Sequence, residues 1–369
     1  MNKLKYVALI GILLSFSCSN ASAGIRDRAR DAFTTMPVSV QSAGYMNQLH
    51  SYDEAFFNSD SYMSLPYKVR MEYRNENKYA VKEPENQYGL PVKNPLGEGY
   101  SYQENLANQN SIWVRPYVST GSVNFKHGPK VDNTMYGVYV GGDSAIKHLK
   151  KADFQYSAYM GYNGTHQSFG ENSIYSNGGL FGVTGTWYGK KAFTSLTINA
   201  GGSNSELSTF YTTKNYPLFS TGIASKTGYN FEFADGKFIM QPSFLVSYSF
   251  VTPFVNGHIA GIDIEKEPFH AVNMSPGIRF IGNLKHGWQP YAEARMVWNI
   301  LGRTSYDTTF VSVPSIGIKP YAQYGVGVQK LWGERVTGFL QCMMLSGGRN
   351  EVAFGGGFKI LLGKKADKI

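Results

Sequence analysis

Cysteine is nearly missing from this chain of 369 residues: it has two, Cys18 and Cys342. A disulfide framework and a cysteine-built metal centre are both excluded by that count. Charge is also scarce, at 17% of residues against roughly 25% in a typical soluble domain. With aromatics at 15%, the composition excludes disorder, which goes with high net charge and few aromatics. After the first twenty-odd positions no apolar run reaches the roughly 20 residues that a spanning helix needs, so any membrane residence is by another route. The seven histidines show no metal-ligand spacing, and there is neither a phosphate-binding glycine loop nor a cysteine pair. His166-Gln167-Ser168 puts a histidine and a serine on one strand face without the rest of a catalytic set, and reads as polar residues at the start of a loop. Asp263, Glu265 and Glu267, with Lys266 among them, read as a solvated charge run. The expectation is a protein with no catalytic site, no cofactor and no metal.

What is present begins with an export signal. Lys3 and Lys5, the apolar stretch Tyr6 to Phe16 and the small-x-small Ala21-Ser22-Ala23 predict a signal peptide over residues 1–23, cleaved before Gly24. Cys342 is then the one cysteine left. The net charge of +9 divides unevenly: residues 24–110 carry 9 basic and 11 acidic groups, and residues 111–369 carry 24 basic and 15 acidic. The basic excess is scattered along the second region rather than gathered in a stripe, so no nucleic-acid partner is expected.

The two regions follow different patterns. Residues 24–110 are polar and irregular, punctuated by Pro66, Pro84, Pro91 and Pro95. Tyr45, Leu49, Tyr52 and Phe56 share one face at helical spacing, and Ser101 with Glu104 forms a capping-box pattern ahead of Leu106. From Ser111 the period becomes two. Phe154, Tyr156, Ala158, Met160 and Tyr162 alternate with Gln155, Ser157, Tyr159, Gly161 and Asn163, and about twelve such segments follow one another. Tight turns such as Tyr188-Gly189-Lys190-Lys191, Ala234-Asp235-Gly236-Lys237, Leu284-Lys285-His286-Gly287 and Trp332-Gly333-Glu334-Arg335 alternate with mostly longer connections: 204–219, 252–268 and 302–315. In hydrocarbon every backbone polar group must be paired, so a spanning sheet must close on itself. The expected fold is all-β: a closed antiparallel transmembrane barrel of about 12 strands after a short, mostly helical or irregular segment. Its polar phase lines the lumen with Arg115, Tyr117, Arg279, Glu293, Arg295, Lys319 and Gln323. Its apolar phase, Cys342 included, faces lipid. Trp187, Tyr188, Trp288, Trp298 and Trp332 fit interfacial girdles. Arg115-Pro116-Tyr117, Gln289-Pro290-Tyr291 and Lys319-Pro320-Tyr321 place a proline outward, where it should lie near a strand end, an edge or a bulge.

Ile112-Trp113-Val114-Arg115-Pro116-Tyr117, Gly141-Gly142-Asp143, Tyr159-Met160-Gly161-Tyr162, Asn177-Gly178-Gly179-Leu180-Phe181-Gly182, Gln289-Pro290-Tyr291-Ala292 and Tyr324-Gly325-Val326-Gly327-Val328 occur in the order and spacing of an autotransporter β-domain. The chain resembles that translocator of type V secretion over residues 111–363. The resemblance implies an outer-membrane barrel that exports or displays its own N-terminal segment, with a linker helix in the pore, here from about Tyr100 to Asn110. It implies as partners the outer-membrane lipid and the barrel-assembly machinery, which would read Gly355, Phe358 and Ile360 ahead of a basic tail at 364–369. It also implies a monomeric barrel, and a linker cleavage site at Asn108 or Asn110. Residues 24–110 are about 87 long with no solenoid repeat, so any passenger is small, degenerate or absent. The alternative is a stand-alone pore or surface adhesin with nothing exported.

Overall fold

Strict alternation sends one set of side chains to each face of a strand, and a sheet with one apolar and one polar face can span a membrane only by closing. The computed structural model describes residues 20–70, 110–126, 130–149, 152–208, 213–254, 257–259, 262–264, 268–303, 306–307, 312–313, 317–332 and 335–362. Twelve long strands build the wall: β1 Ser111–Asn124, β2 Lys130–Asp143, β3 Asp153–Phe169, β4 Asn172–Tyr188, β5 Ala192–Ser208, β6 Thr213–Tyr229, β7 Phe238–Pro253, β8 Phe269–Gly282, β9 Trp288–Arg303, β10 Tyr321–Trp332, β11 Val336–Gly347 and β12 Arg349–Leu361. Each is antiparallel to its neighbours in the chain, and β12 pairs with β1 to close the barrel. An even count brings both chain ends to one rim, called here the turn rim; the opposite rim is the loop rim.

Connections at the turn rim are compact: residues 189–191, 230–237, 283–287 and 333–335, with a longer one at 144–152. At the loop rim 254–268 and 304–320 are long, but the expected loop at 204–219 is a hairpin: β5 continues to Ser208 and β6 begins at Thr213. β3, β4, β5 and β6 each run 17 residues. A tilted strand crosses the hydrocarbon in about 9–11. The outward positions of β3 show where lipid ends, since Phe154 to Tyr162 are apolar or aromatic and Gly164, His166 and Ser168 follow. These strands therefore overhang the membrane at the loop rim. His166 lies on this overhang, its ring stacked on Tyr175 at 4.2 Å, so His166-Gln167-Ser168 belongs to a strand rather than a loop.

Of the three tripeptide prolines, Pro290 sits near the start of β9 and Pro320 just precedes β10. Pro116 lies mid-strand at the closing seam, where the β1–β12 ladder runs Val114 to Phe358 and resumes at Tyr117 to Gly355. Without an N–H, proline cannot make the ladder bond. Gly357 lies opposite this gap, and a Cβ there would come within 2.1 Å of the Val114 carbonyl. Trp187, Trp288 and Trp332 point outward at the turn rim, and Trp298 outward nearer the loop rim. Tyr188 does not join them. It is buried in the lumen, where its hydroxyl donates to Gln155 Oε1 at 3.0 Å.

The helix α1, Asn20–Met63, threads the barrel. From Val40 onward nearly every residue of α1 is buried, polar and apolar alike. An amphipathic surface helix would leave one face to water. Here the Tyr45, Leu49, Tyr52, Phe56 face is covered: Tyr52 and Phe56 pack with Ala224 and Leu245, and Tyr45 meets Phe269 edge-on at 5.0 Å. The opposite face is covered as well, because the wall supplies a polar partner at each level. The capping-box pattern at Ser101 and Glu104 lies outside the described residues, as does nearly all of the stretch expected in the pore.

Candidate functional site: the lumen and its helix

Three acids, Asp53, Glu54 and Asp60, are the only charged side chains of α1 between Val40 and Met63 if His50 is neutral. Each meets a cation of the wall. Glu54 Oε2 lies 2.9 Å from Arg115 Nε, with both side chains 3% exposed. Asp53 pairs with Arg295 of β9. Asp60 accepts Lys226 Nζ of β6 at 2.5 Å and lies 3.7 Å from Arg279 of β8. In low dielectric an unpaired charge costs several kcal/mol, so these pairs depend on each other. The guanidiniums also sit on rings: Arg115 is 3.6 Å from the centre of Phe57, and Arg279 is 3.8 Å from that of Tyr291.

Neutral contacts complete the match around the helix. Tyr45 donates to Asn273 at 2.5 Å, Gln48 to Ser220 at 2.9 Å, and Ser61 to Gln329 at 2.9 Å. Thr165 donates to Asn47 at 3.2 Å and Asn199 to Ser51 at 2.6 Å. Asn58 reaches Asp143 at 3.2 Å, and the same carboxylate accepts Ser111, Trp113 and Lys359 at the seam. Small wall residues make room. Gly222 faces the lumen, and a Cβ there would stand 1.8 Å from the Tyr52 hydroxyl, which donates to the Tyr248 carbonyl at 2.9 Å.

The end of α1 is fastened at the turn rim. A helix leaves its last carbonyls without intrahelical partners. Asn230 donates to the Met63 carbonyl at 2.6 Å and Asn283 to that of Ser64 at 3.3 Å. Arg70 then donates to the Lys190 carbonyl at 2.7 Å, and Glu232 accepts the Tyr67 N–H at 2.7 Å. Tyr45, by contrast, contacts Phe269 and Asn273 near the loop-rim end of β8. The helix therefore runs from the loop rim to the turn rim, and β1 starts back at the turn rim. Among the described residues, two spaces beside it measure about 50 and 20 Å³, room for isolated waters.

Among the residues expected in the lumen, Arg115, Tyr117, Arg279, Glu293, Arg295 and Gln323 all face it. Tyr117 donates to Asn163 at 2.8 Å, and its ring centre lies 3.6 Å from that of His50, the planes inclined by 36°. Gln323 accepts from Arg295 at 2.8 Å, and Glu293 lies 3.9 Å from Arg279. Lys319 stands apart: it is exposed, ahead of β10. Phe358 and Ile360 are on the lipid side of β12, while Gly355 faces inward against Gln341. Asn108 and the tail at 364–369 lie outside the described residues. Asn110 is exposed at the turn rim, where its side chain accepts the Ala145 N–H at 2.9 Å. Sequence reasoning did not assign Asp53, Glu54, Asp60, Lys226, Asn230 and Asn283 to the site. A usable signal existed: the stretch from Val40 to Met63 has three acids and no Lys or Arg, ahead of a wall whose polar phase carries Arg115, Arg279, Arg295 and Arg349.

These features define a class: a closed transmembrane β-barrel whose lumen is filled by a helix from its own N-terminal region. Residues 112–342 match the family model described as autotransporter beta-domain, and the chain belongs to that family. Solved structures share the fold. The transport unit of the autotransporter AIDA-I from Escherichia coli is 18% identical, with a TM-score of 0.59 over 70% of this chain and 91% of that one. The beta domain of the Bordetella autotransporter BrkA is 14% identical at TM-score 0.56, over 69% and 99%. The translocator domain of the autotransporter NalP from Neisseria meningitidis is 11% identical at TM-score 0.56, over 80% and 97%. No relative among curated proteins matches. The family is one of outer-membrane transport barrels.

Proposed function

We propose that this chain carries its own N-terminal segment through the outer membrane and retains α1 in the lumen as a plug, with the residues before Val40 directed outward. The turn rim is then periplasmic and the loop rim extracellular, the usual layout of outer-membrane barrels. The observation that supports this most is the direction of α1 together with the burial of nearly all its residues from Val40 onward. The exported part is small. Its work is display at the cell surface, by transport rather than catalysis. A stand-alone pore would need an open lumen, whereas α1 occupies it from Val40 onward with nearly every residue buried.

Protease shaving of intact cells tests the reading, with one epitope just after Gly24 and a second at the β5–β6 hairpin near Lys214. Clipping of both is expected. Clipping of the hairpin epitope alone would leave the N-terminus sealed or periplasmic and would overturn display.

A further inference from the structure

Among the described residues, the lipid-facing wall carries a pronounced hollow. Beside the seam at the turn rim a groove of about 440 Å³ opens outward, within the ~300–1,000 Å³ of small-molecule sites. Register explains it. Ile112 pairs with Gly142, Gly142 with Ala158, and Ala158 with Val183, so one outward row reads large, small, small, large across four strands. A Cβ on Gly142 would meet nothing within 4 Å except the Ser111 carbonyl oxygen at 3.3 Å. Val140, Met160 and Phe181 wall the hollow on the side away from the rim.

A cation stands at its mouth. Lys147 pairs opposite Phe154, and directly opposed residues of an antiparallel pair share a face, so Lys147 projects outward with Phe154 and Tyr156. It is exposed, and its ammonium lies 5.2 Å from the centre of the Tyr156 ring, one outward step from Ala158. The rings of Phe154 and Trp187, 5.0 Å apart, mark headgroup height at this rim. Both nearby carboxylates have other partners: Asp143 accepts Lys359 at 2.7 Å, and Asp153 pairs with His148 at 2.8 Å. A positive charge at headgroup height above an unfilled apolar hollow matches one amphiphile, an anionic phospholipid of the turn-rim leaflet.

We propose that the Gly142–Ala158 hollow holds an acyl chain of such a lipid, with its phosphate on Lys147. The site rests on the barrel spanning a bilayer and not on the export of α1. Native mass spectrometry of the full-length barrel, refolded with phosphatidylglycerol or phosphatidylethanolamine, reads it directly. Wild-type protein should retain phosphatidylglycerol about fivefold better, the worth of roughly one lysine at a charged surface. Lys147→Glu should erase that preference, and Lys285→Glu, in the turn-rim connection between β8 and β9, should keep it. Gly142→Leu fills the hollow and should lower retention of either lipid about tenfold. Should Gly142→Leu not reach the folded, heat-modifiable form, Ala158→Leu fills the same space from the next strand and is read the same way. Equal retention of the two lipids, an unchanged Leu variant, or a Lys285→Glu barrel that loses the preference would each overturn the site.

Discussion

The two faces of the same twelve strands serve different solvents, and they differ in what they need from the rest of the chain. The outer face faces hydrocarbon, which is tolerant: any apolar side chain of fitting size suffices, and neighbours hardly depend on one another. The inner face has α1 as its solvent. Each polar group there needs one particular partner at one height, as Arg115 needs Glu54 and Asn199 needs Ser51. Substitutions inside should therefore act through pairs, and substitutions outside through depth in the membrane.

The largest effect is expected where the inner pairing is most buried. Arg115→Ala should destabilise the barrel by about 3–5 kcal/mol, because it strands the Glu54 carboxylate, itself 3% exposed. Urea unfolding in detergent measures it. Glu54→Gln in the same chain should recover part of that loss, and additive effects would mean the two do not act as a pair. On the outer face the comparable insult is a lone charge. Ile198→Lys, on a lipid-facing position of β5, should cost about 2–4 kcal/mol, with no inner substitution able to rescue it. A rescue would blur the contrast between the faces.

Gly222→Leu separates the two faces at a single step along β6. Its Cβ would occupy the place of the Tyr52 hydroxyl, so α1 must shift or leave. Overpacking of this kind costs about 1–3 kcal/mol. The sharper readout is current through a planar bilayer. Wild-type barrels should stay closed and Gly222→Leu barrels should conduct, whereas Ile223→Leu, which points to lipid, should remain closed. Silent Gly222→Leu barrels would mean that α1 is not what seals the lumen.

The same contrast sets what could be read from sequence. Strands were legible wherever lipid enforces an apolar face: the starts of β7, β8 and β9, at Phe238, Phe269 and Trp288, fall within a residue of the alternating pattern. A misplaced boundary lies on the overhang, where the connection expected at 204–219 is strand up to Ser208 and again from Thr213. Above the hydrocarbon both faces are wet. Ser203, Asn204, Ser205 and Glu206 carry no apolar period to read. The lumen residues were legible as a polar phase, and Tyr45, Leu49, Tyr52 and Phe56 as a helix. What was not legible was that this helix fills the barrel. Its polar positions find partners such as Asn273 and Gln329 more than two hundred residues away, and no local pattern encodes such pairs.

The smallest expected effect concerns the linker asparagines. Asn110 is exposed at the turn rim, where its carbonyl accepts the Leu362 N–H at 2.8 Å and its side chain that of Ala145 at 2.9 Å. It joins the first strand, the last strand and the 144–152 connection outside the lumen. Its side chain is taken up by the Ala145 N–H, and the nearby buried carboxylate of Asp143 is held by Ser111, Trp113 and Lys359, so Asn108→Ala with Asn110→Ala should leave the size of the membrane product unchanged on a denaturing gel. The loss in stability should stay within about 0.5–1.5 kcal/mol, the worth of an ordinary hydrogen bond. If wild-type protein instead yields a shortened product that the double variant lacks, the chain is cut between α1 and β1. The helix would then be held only by its contacts with the wall, and Arg115→Ala should release it from the barrel rather than merely weaken the fold.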